Sequence, residues 1–207
     1  MRVVSRAIGD LIGDHFVQHQ QVVTQSLAAL NDPIGLSCNT LSAALQAGRK
    51  VIVFGNGGSA AQASHLTGEL LGRYGIDRRP LPALALGCDP AVVTCIANDF
   101  GYDTLFSRQV TAFAQFGDVA IGFSTSGRSA NVRSGLEAAA TCGATTIAVT
   151  GQAGLIGAGA DIVIAVPSIA TAHIQELHLI VIHVWCAHID RMLGSVESLP
   201  RTGAGAP

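Results

Sequence analysis

The chain has 207 residues, of which 13% are charged and 49% are hydrophobic. The length is typical of one domain, and the apolar composition excludes disorder over most of the chain. The net charge of −2 argues against an electrostatic partner such as a nucleic acid or a membrane surface. No segment is long and apolar enough to span a membrane. The first sixteen residues lack the apolar run of a secretory signal. The five cysteines form no CxxC pair. We therefore expect a cytoplasmic protein with reduced thiols.

Residues 1–48 are predicted to form two helices. Apolar residues recur at intervals of three to four over positions 8–30, which is the spacing of one helix face. Asp32 and Pro33 then interrupt the pattern, as an N-cap and a first-turn proline would. A second helix is expected to end near Gly48. We predict that this N-terminal helical segment contributes to an oligomer interface.

The chain then changes to short apolar runs, each followed by turn residues and then by a stretch compatible with a helix. Strands that alternate with helices predict a mostly parallel, doubly wound α/β sheet of about five strands with helices on both faces. The domain is expected to cover residues 49–193, followed by a disordered tail at 194–207. The predicted strands are Val51–Phe54, Pro82–Leu86, Val119–Phe123, Thr146–Val149 and Ile162–Val166.

The last predicted helix runs from about Thr171 to Leu193. Its apolar residues surround the helix axis, which is typical of a helix that is buried on all sides. One domain of this size offers few such positions, so the pattern favours a helical interface between subunits. Four histidines recur at every fifth position of this helix and therefore cannot share one face. They are His173, His178, His183 and His188.

Two loops follow predicted strands at the sheet edge where parallel α/β domains bind ligands. The first, Gly55–Ala60, reads GNGGSA and formally fits the dinucleotide fingerprint GxGxxG/A. That fingerprint also requires an acidic residue at the end of the second strand, whereas Asp77 precedes that strand. A dinucleotide site and simple close packing of strand and helix both remain open for this loop.

The second loop, Ser124–Ser129, reads STSGRS and opens a helix. Four hydroxyl groups beside the free amides of a helix N-terminus form a receptor for a phosphate monoester. The alternative is an ordinary Ser/Thr helix cap. The position of the loop at the ligand-binding edge favours phosphate binding.

A possible acid–base or metal pair lies on the helix after the first loop. His65 and Glu69 are four residues apart, which places imidazole and carboxylate on one helix face. The pair suits a divalent metal, or a carboxylate base with a neighbouring imidazole, and the alternative is a surface ion pair. On the last helix, Gln175 and His183 are separated by a rotation of about 80°. They could approach one ligand only from its two sides or from two different subunits.

These motifs, taken in order over about residues 50–190, resemble the phosphoheptose isomerases of the sugar-isomerase (SIS) superfamily. The matching segments are GNGGSA (55–60), HLTGELLGRY (65–74), LPALAL (81–86), ANDFGYDTLFSRQV (97–110), GDVAIGFSTSGRSANV (117–132) and IQELHLIVIH (174–183). The resemblance implies a flavodoxin-like SIS domain, a homotetramer with active sites between subunits, and a phosphorylated seven-carbon sugar as substrate. The reaction would convert D-sedoheptulose 7-phosphate to D-glycero-D-manno-heptose 7-phosphate, the first step toward ADP-heptose.

The resemblance also implies roles for particular residues. Glu69 would be the general base and His183 the partner acid. One zinc ion per subunit would be held by His65, Glu69, Gln175 and His183. The sugar phosphate would contact Asn56, Gly57, Gly58, Ser59, Glu69, Asn98, Asp99, Ser124, Thr125, Ser126, Ser129 and Gln175.

Two other functions remain compatible with such a domain. A non-catalytic SIS protein of the type that associates with the DnaA initiator shares the fold, but in that group the positions of Glu69 and His183 carry other residues. An SIS isomerase for a different sugar phosphate would share the phosphate loop and the acid–base pair. The chain departs from the family at Arg128, where asparagine is usual, at His173, where arginine is common, and in the loop Gly151–Gly159. These departures bear on the choice of sugar.

Overall fold

A computed structural model describes residues 6–155 and 159–193, which form seven helices and five strands. The helices are α1 (Arg6–Ala29), α2 (Asn31–Gln46), α3 (Gly58–Leu71), α4 (Pro90–Phe100), α5 (Leu105–Phe113), α6 (Ala130–Thr141) and α7 (Thr171–Leu193). The strands are β1 (Val51–Gly55), β2 (Ala83–Ala85), β3 (Val119–Ser124), β4 (Thr145–Thr150) and β5 (Ile162–Ala165). A short 3₁₀ turn covers Tyr102–Thr104.

The five strands form one parallel sheet in the order β2-β1-β3-β4-β5. This is the flavodoxin-like order, and it confirms the predicted fold and all five predicted strands. Val51 pairs with Ala83 on one side and with Val119 on the other, so β1 lies between β2 and β3. The chain therefore reverses its direction of winding at β1 and β3.

Two apolar layers cover the two faces of the sheet. Val51 and Val53 point into a core shared with α2, α3 and α7. Ile52 and Phe54, which alternate with them, point into a second core shared with α4, α5 and α6. Because both faces are covered, the strands read as continuous apolar runs, and this is why the sequence located them well.

The two N-terminal helices are confirmed, but the predicted cap is wrong. The break falls at Leu30, which occupies the N-cap position of α2 without a side-chain cap bond. Asp32 lies inside the first turn of α2, where its charge still suits the positive end of the helix. Leu30 is only 3% exposed, so burial of its side chain in the core places the bend before the polar residues.

Helix α7 has the predicted bounds, but within one chain it is not buried on all sides. Ile182 is fully buried, whereas Ile180 and Val184 are each 41% exposed. The buried side is fixed to α2, where Trp185 Nε1 donates to Ser37 Oγ at 2.7 Å. The apolar residues that remain exposed form part of a surface considered below.

His178 of α7 is fully buried in the interior. Its Nε2 donates to the carbonyl oxygen of Thr150 at 3.1 Å, and its buried Nδ1 has no hydrogen-bond partner among the described residues. Burial lowers the pKa of His178 to about 4, and the hydrogen bond to Thr150 offsets this only in part. The imidazole is therefore neutral at physiological pH, and its contribution is to core packing.

The opposite, amino-terminal edge of the sheet carries the single lysine of the chain. Lys50 Nζ lies 2.6 Å from Asp118 Oδ2, and the Lys50 amide donates to the other carboxylate oxygen at 3.0 Å.

None of the helices in the described ranges is long and apolar enough to cross a membrane. The predicted disordered tail, 194–207, and positions 156–158 of the loop Gly151–Gly159 lie outside the described residues.

Candidate active site at the carboxyl ends of β1 and β3

The loops that leave β1 and β3 face each other across the point where the winding of the sheet reverses. After β1 the chain enters α3 on one face, and after β3 it enters α6 on the other face. The two loops therefore separate and leave a crevice at the carboxyl ends of adjacent strands, which is where open α/β sheets bind ligands. Both predicted loops lie at this crevice.

Asn56, directly after β1, joins the two loops. Its Nδ2 donates to Asn131 Oδ1 at 2.8 Å, and the Asn131 amide donates back to Asn56 Oδ1 at 2.9 Å. The hydroxyl of Tyr102 also donates to Asn56 Oδ1, at 2.9 Å. The sequence analysis did not single out Asn131 or Tyr102, although both lie inside the matching motifs. Asn131 is 2% exposed, so we assign it a role in positioning Asn56.

The glycine loop also receives Gln175 from α7. A Cβ atom at Gly58 would overlap the amide of Gln175, so the glycine leaves room for this side chain in its present position. Gln62 Nε2 donates to the backbone oxygen of Gln175 at 2.6 Å and fixes α7 against α3. Gly57 has a positive φ of 56°, and Ser59 is buried in the first turn of α3. The structure thus brings Gln175 to this loop.

The hydroxyl-rich loop runs from Ser124, the last residue of β3, to Ser129, the N-cap residue of α6. Ser129 makes no side-chain cap bond, and its hydroxyl instead lies 3.0 Å from the hydroxyl of Ser124. Ser126 Oγ accepts a hydrogen bond from the Arg128 amide at 3.2 Å, so the loop curls around its own hydroxyl groups. Gly127 has a φ of 66°, and a Cβ there would overlap the carbonyl of Gly154. This arrangement agrees better with an anion receptor than with an ordinary cap.

His65, Glu69 and His183 form a polar cluster between α3 and α7. The Nε2 atoms of His65 and His183 lie 3.2 Å apart, and His65 Nε2 lies 3.5 Å from Glu69 Oε1. The ring of Tyr74 is 5.7 Å from that of His183. The structure therefore unites three of the residues to which the resemblance assigns catalytic or metal-binding roles. Gln175, the fourth proposed ligand, has its described contacts at Gly58 and Gln62 instead.

Asn98 and Asp99 lie at the C-terminal end of α4, and both are exposed. Asn98 Nδ2 donates to Asp99 Oδ1 at 2.6 Å, and Cys95 Sγ lies 3.6 Å from the other carboxylate oxygen. Their described hydrogen bonds do not reach either loop. Tyr102, a few residues later, does reach Asn56, so the end of α4 lies near the crevice.

A dinucleotide site requires an acidic residue at the end of the second strand, and Asp77 does not meet this requirement. Asp77 precedes β2 and forms an exposed ion pair with Arg73 at 3.2 Å. The glycine loop is instead occupied by contacts with Asn131 and Gln175. The geometry therefore does not support the dinucleotide interpretation.

A buried ion pair lies behind the polar cluster, and the sequence analysis missed it. Arg78 Nε donates to Asp190 Oδ1 at 2.9 Å, and the two side chains are 1% and 8% exposed. The same guanidinium donates to the backbone oxygens of Glu69 and Leu70 at the end of α3. The Arg78–Asp190 pair therefore ties the helix that carries His65 and Glu69 to the helix that carries His183.

Cys186 lies near the same cluster and is excluded as a nucleophile. Burial, assisted by the charges of Glu69 and Asp190 and opposed by Arg78, raises the pKa of its thiol to about 12. The thiol is therefore protonated at physiological pH. The polar cluster must work with its imidazoles and its carboxylate.

A flavodoxin-like sheet with a hydroxyl-rich loop opposite a glycine loop defines a class of α/β domains that bind phosphorylated ligands. Comparison with known families agrees with this class, because residues 14–151 match the model of the SIS domain. The match covers both loops and the His65–Glu69 pair.

Full-length relatives resolve the class further. A phosphoheptose isomerase from Shewanella frigidimarina is 46% identical over 187 residues, which are 88% of this chain and 94% of the relative. The solved phosphoheptose isomerase of Neisseria gonorrhoeae superposes with a TM-score of 0.83 at 36% identity, over 89% of this chain and 99% of that one. The enzyme from Francisella tularensis gives 0.82 at 34% identity, over 88% and 97%. The chain belongs to the phosphoheptose isomerase family of SIS domain proteins, and membership of this family makes it an isomerase.

Proposed function

We propose that this chain interconverts D-sedoheptulose 7-phosphate and D-glycero-D-manno-heptose 7-phosphate, the first step toward ADP-heptose. Family membership supports the substrate. The observation that carries the reaction type is the polar cluster, in which His65 lies 3.2 Å from His183 and 3.5 Å from Glu69. A carboxylate beside an imidazole, on the helix that begins at the glycine loop, provides what an aldose–ketose isomerisation requires.

The proposed chemistry moves one proton between two carbons. Glu69 removes a proton from C1 of the ketose, the electron pair shifts to form a cis-enediol, and a proton is returned to C2. His183 supplies and accepts the protons of the oxygens on these two carbons. Each well-placed acid or base contributes about 10²–10⁴-fold to the rate of such a step.

The two loops would bind the substrate through groups that are remote from the reacting carbons. Ser124, Thr125, Ser126 and Ser129 supply hydroxyl donors to the phosphate, together with the free amides at the start of α6. The Asn56–Asn131 pair lies between the two loops and would meet the sugar chain. Binding energy from the phosphate can then be used to orient C1 and C2 at Glu69.

The polar cluster also fits a zinc ion. Zinc–nitrogen bonds of about 2.0–2.1 Å place tetrahedral ligands about 3.3 Å apart, close to the 3.2 Å between the two imidazoles. His65, Glu69 and His183 would hold the ion, with Gln175 as the fourth ligand after a side-chain rotation. These residues would hold a zinc ion whose chemistry, when bound, would be Lewis-acid polarisation of the substrate carbonyl.

Proton NMR of the purified protein with sedoheptulose 7-phosphate in deuterated buffer tests the proposed reaction. We expect signals of the aldose to grow and the C1 proton of the ketose to exchange with solvent. A chelator added to a parallel sample tests the proposed zinc by the loss of rate. Fructose 6-phosphate and ribulose 5-phosphate serve as substrates of other lengths.

The other two functions give different results in the same spectra. A non-catalytic SIS protein leaves every sugar phosphate unchanged, and that outcome contradicts the proposed activity. An isomerase for another sugar converts a shorter ketose faster than the seven-carbon one. The second result would keep the proposed chemistry and replace the substrate.

A homotetramer is proposed from the apolar surface of α1, α2 and α7. These helices enclose an open cavity of about 590 Å³ whose lining is mostly apolar and includes Leu27, Ile34, Ile180 and Val184. An exposed apolar surface of this kind is typical of a subunit interface. We also propose that the active sites lie between subunits and that the protein is cytoplasmic, as the family resemblance implies.

Ile180→Asp is expected to break the proposed tetramer, because it places a charge in the apolar surface. Light scattering coupled to size exclusion should show a tetramer for the parent and smaller or aggregated species for the variant. Ala140→Asp is the control, since Ala140 is exposed on α6 at the other face of the sheet. A parent that is monomeric, or an Ile180→Asp variant that remains tetrameric, contradicts the proposed interface.

A further inference from the structure

A second cluster of metal-binding side chains lies between α1 and α7, apart from His65, Glu69 and His183. Three imidazoles surround one carboxylate in this cluster. Glu176 Oε1 lies 2.7 Å from His15 Nε2, while Oε2 lies 2.6 Å from His19 Nδ1 and 3.0 Å from His173 Nδ1. We call these four residues the His15 cluster.

Three imidazole nitrogens lie within hydrogen-bonding distance of the Glu176 carboxylate. The carboxylate is already bonded to His15 and His173, one on each oxygen. His19 Nδ1 lies 2.6 Å from Oε2 but is not aligned as a hydrogen bond, and this buried nitrogen has no hydrogen-bond partner among the described residues. Three imidazole nitrogens therefore converge on one carboxylate, and two of them form aligned hydrogen bonds with it.

The spacing of the cluster suits a divalent cation. The candidate ligand atoms of His15, His173 and Glu176 all lie within 4.8 Å of one another, and small side-chain adjustments would bring them to the separation of about 3.3 Å in a tetrahedral zinc site. His15 and His19 are four residues apart on α1, and His173 and Glu176 are three apart on α7. Two pairs of this kind on facing helices are a common way to build metal sites.

We propose that the His15 cluster binds a zinc-type divalent cation that fastens α1 to the start of α7. His15, His173 and Glu176 supply the ligand atoms, and His19 lies beside them at Glu176. Bound metal would neutralise the carboxylate that these imidazoles surround. This proposal does not depend on the reaction catalysed at the other cluster.

The fastening has a structural consequence because α1 has little other anchorage in the subunit. Ser26 is the only buried side chain over residues 8–29, and Phe16 is 71% exposed. Glu176 directly follows Gln175, which contacts the glycine loop. A metal at the His15 cluster would therefore hold α1 beside the segment of α7 that reaches the candidate active site.

The test separates the two clusters by removing one of them. In the full chain carrying His65→Ala and His183→Ala, we expect one zinc ion per chain to survive equilibrium dialysis, counted by atomic emission. Cobalt in place of zinc should give the strong visible absorption of a tetrahedral nitrogen–oxygen site. Adding His15→Ala or Glu176→Gln should weaken binding by at least about 10–100-fold, the loss that changes around metal ligands cause.

His188→Ala is the matched control, because it removes a histidine of α7 that contacts Ser42 instead of the cluster. Absence of zinc from the parent variant, or zinc that survives both His15→Ala and Glu176→Gln, overturns the proposal. If the chain carrying His65→Ala and His183→Ala does not fold, zinc is counted in the natural chain and in the His15→Ala variant instead. We then expect the natural chain to hold one zinc ion more per chain than His15→Ala.

Protease cleavage provides a second readout that is independent of activity. Zinc should slow cleavage within α1 of the natural chain severalfold and should have no effect on cleavage of the His15→Ala variant. Equal cleavage rates with and without zinc in the natural chain contradict the fastening of α1. Neither the zinc count nor the cleavage rate depends on isomerase activity.

Discussion

Arg78→Met is expected to lower the free energy of unfolding by about 3–5 kcal/mol, because it leaves a buried carboxylate without its cation. Asp190 is 8% exposed at its side chain, and after the substitution it would keep only the backbone amides of Gly75 and Ile76, at 2.8 and 3.3 Å. The backbone oxygen of Glu69 would also lose its donor, since Arg78 Nη2 contacts it at 2.7 Å. Urea or thermal unfolding followed by circular dichroism measures the loss.

Arg73→Met is the matched control in the same segment. The Arg73–Asp77 pair has a similar N–O distance of 3.2 Å, but its side chains are 68% and 57% exposed. Exposed ion pairs are screened by water and contribute about 0.2–1 kcal/mol, so this variant should lose much less stability than Arg78→Met. Equal losses for Arg73→Met and Arg78→Met would contradict the special role of the buried pair.

Removal of both charges should cost less than removal of one. Arg78→Met combined with Asp190→Leu replaces the ion pair with apolar side chains of similar size, and such replacements are often neutral or stabilising. The double variant is therefore expected to recover part of the stability that Arg78→Met loses. Its activity should recover less, since the hydrogen bond to the Glu69 backbone remains absent.

The sheet and its ligand-binding edge could be predicted from the sequence because their signals are local. Val51, Ile52 and Val53 read as one apolar run because successive residues enter opposite cores. The glycine loop and the Ser124–Ser129 loop carry short local patterns of glycine and hydroxyl residues, and Gly57 and Gly127 adopt the positive φ that favours glycine. The reversal of winding between β1 and β3 could be expected only from the family resemblance, since the sequences of parallel strands do not determine their order in the sheet.

The supports of the site could not be predicted, because they join residues that are far apart in sequence. Arg78 and Asp190 are 112 residues apart, and neither has a local pattern that distinguishes it from a surface charge. Asn131 lies 75 residues from Asn56 and could have been noticed only as a polar residue within a matching motif. The bend at Leu30 likewise depends on burial of its side chain in the folded core.

Glu69→Gln is expected to slow isomerisation by about 10²–10⁴-fold and to stop exchange of the C1 proton, because an amide cannot accept that proton. The side chain of Glu69 is 22% exposed and thus accessible to a sugar. Glutamine keeps the shape of the side chain, so melting temperature and oligomer size should match those of the natural chain. NMR in deuterated buffer measures conversion and exchange together.

Two further variants separate the role of a base from that of a metal ligand. His65→Gln leaves the Glu69 carboxylate intact but removes an imidazole from the proposed zinc site, so it should lower zinc content and keep measurable C1 exchange. Glu137→Gln removes an exposed carboxylate of α6 and should change neither. If Glu69→Gln exchanged the C1 proton at the natural rate, another group would be the base. If His65→Gln stopped exchange as completely as Glu69→Gln, the carboxylate would act mainly through the metal that it helps to hold.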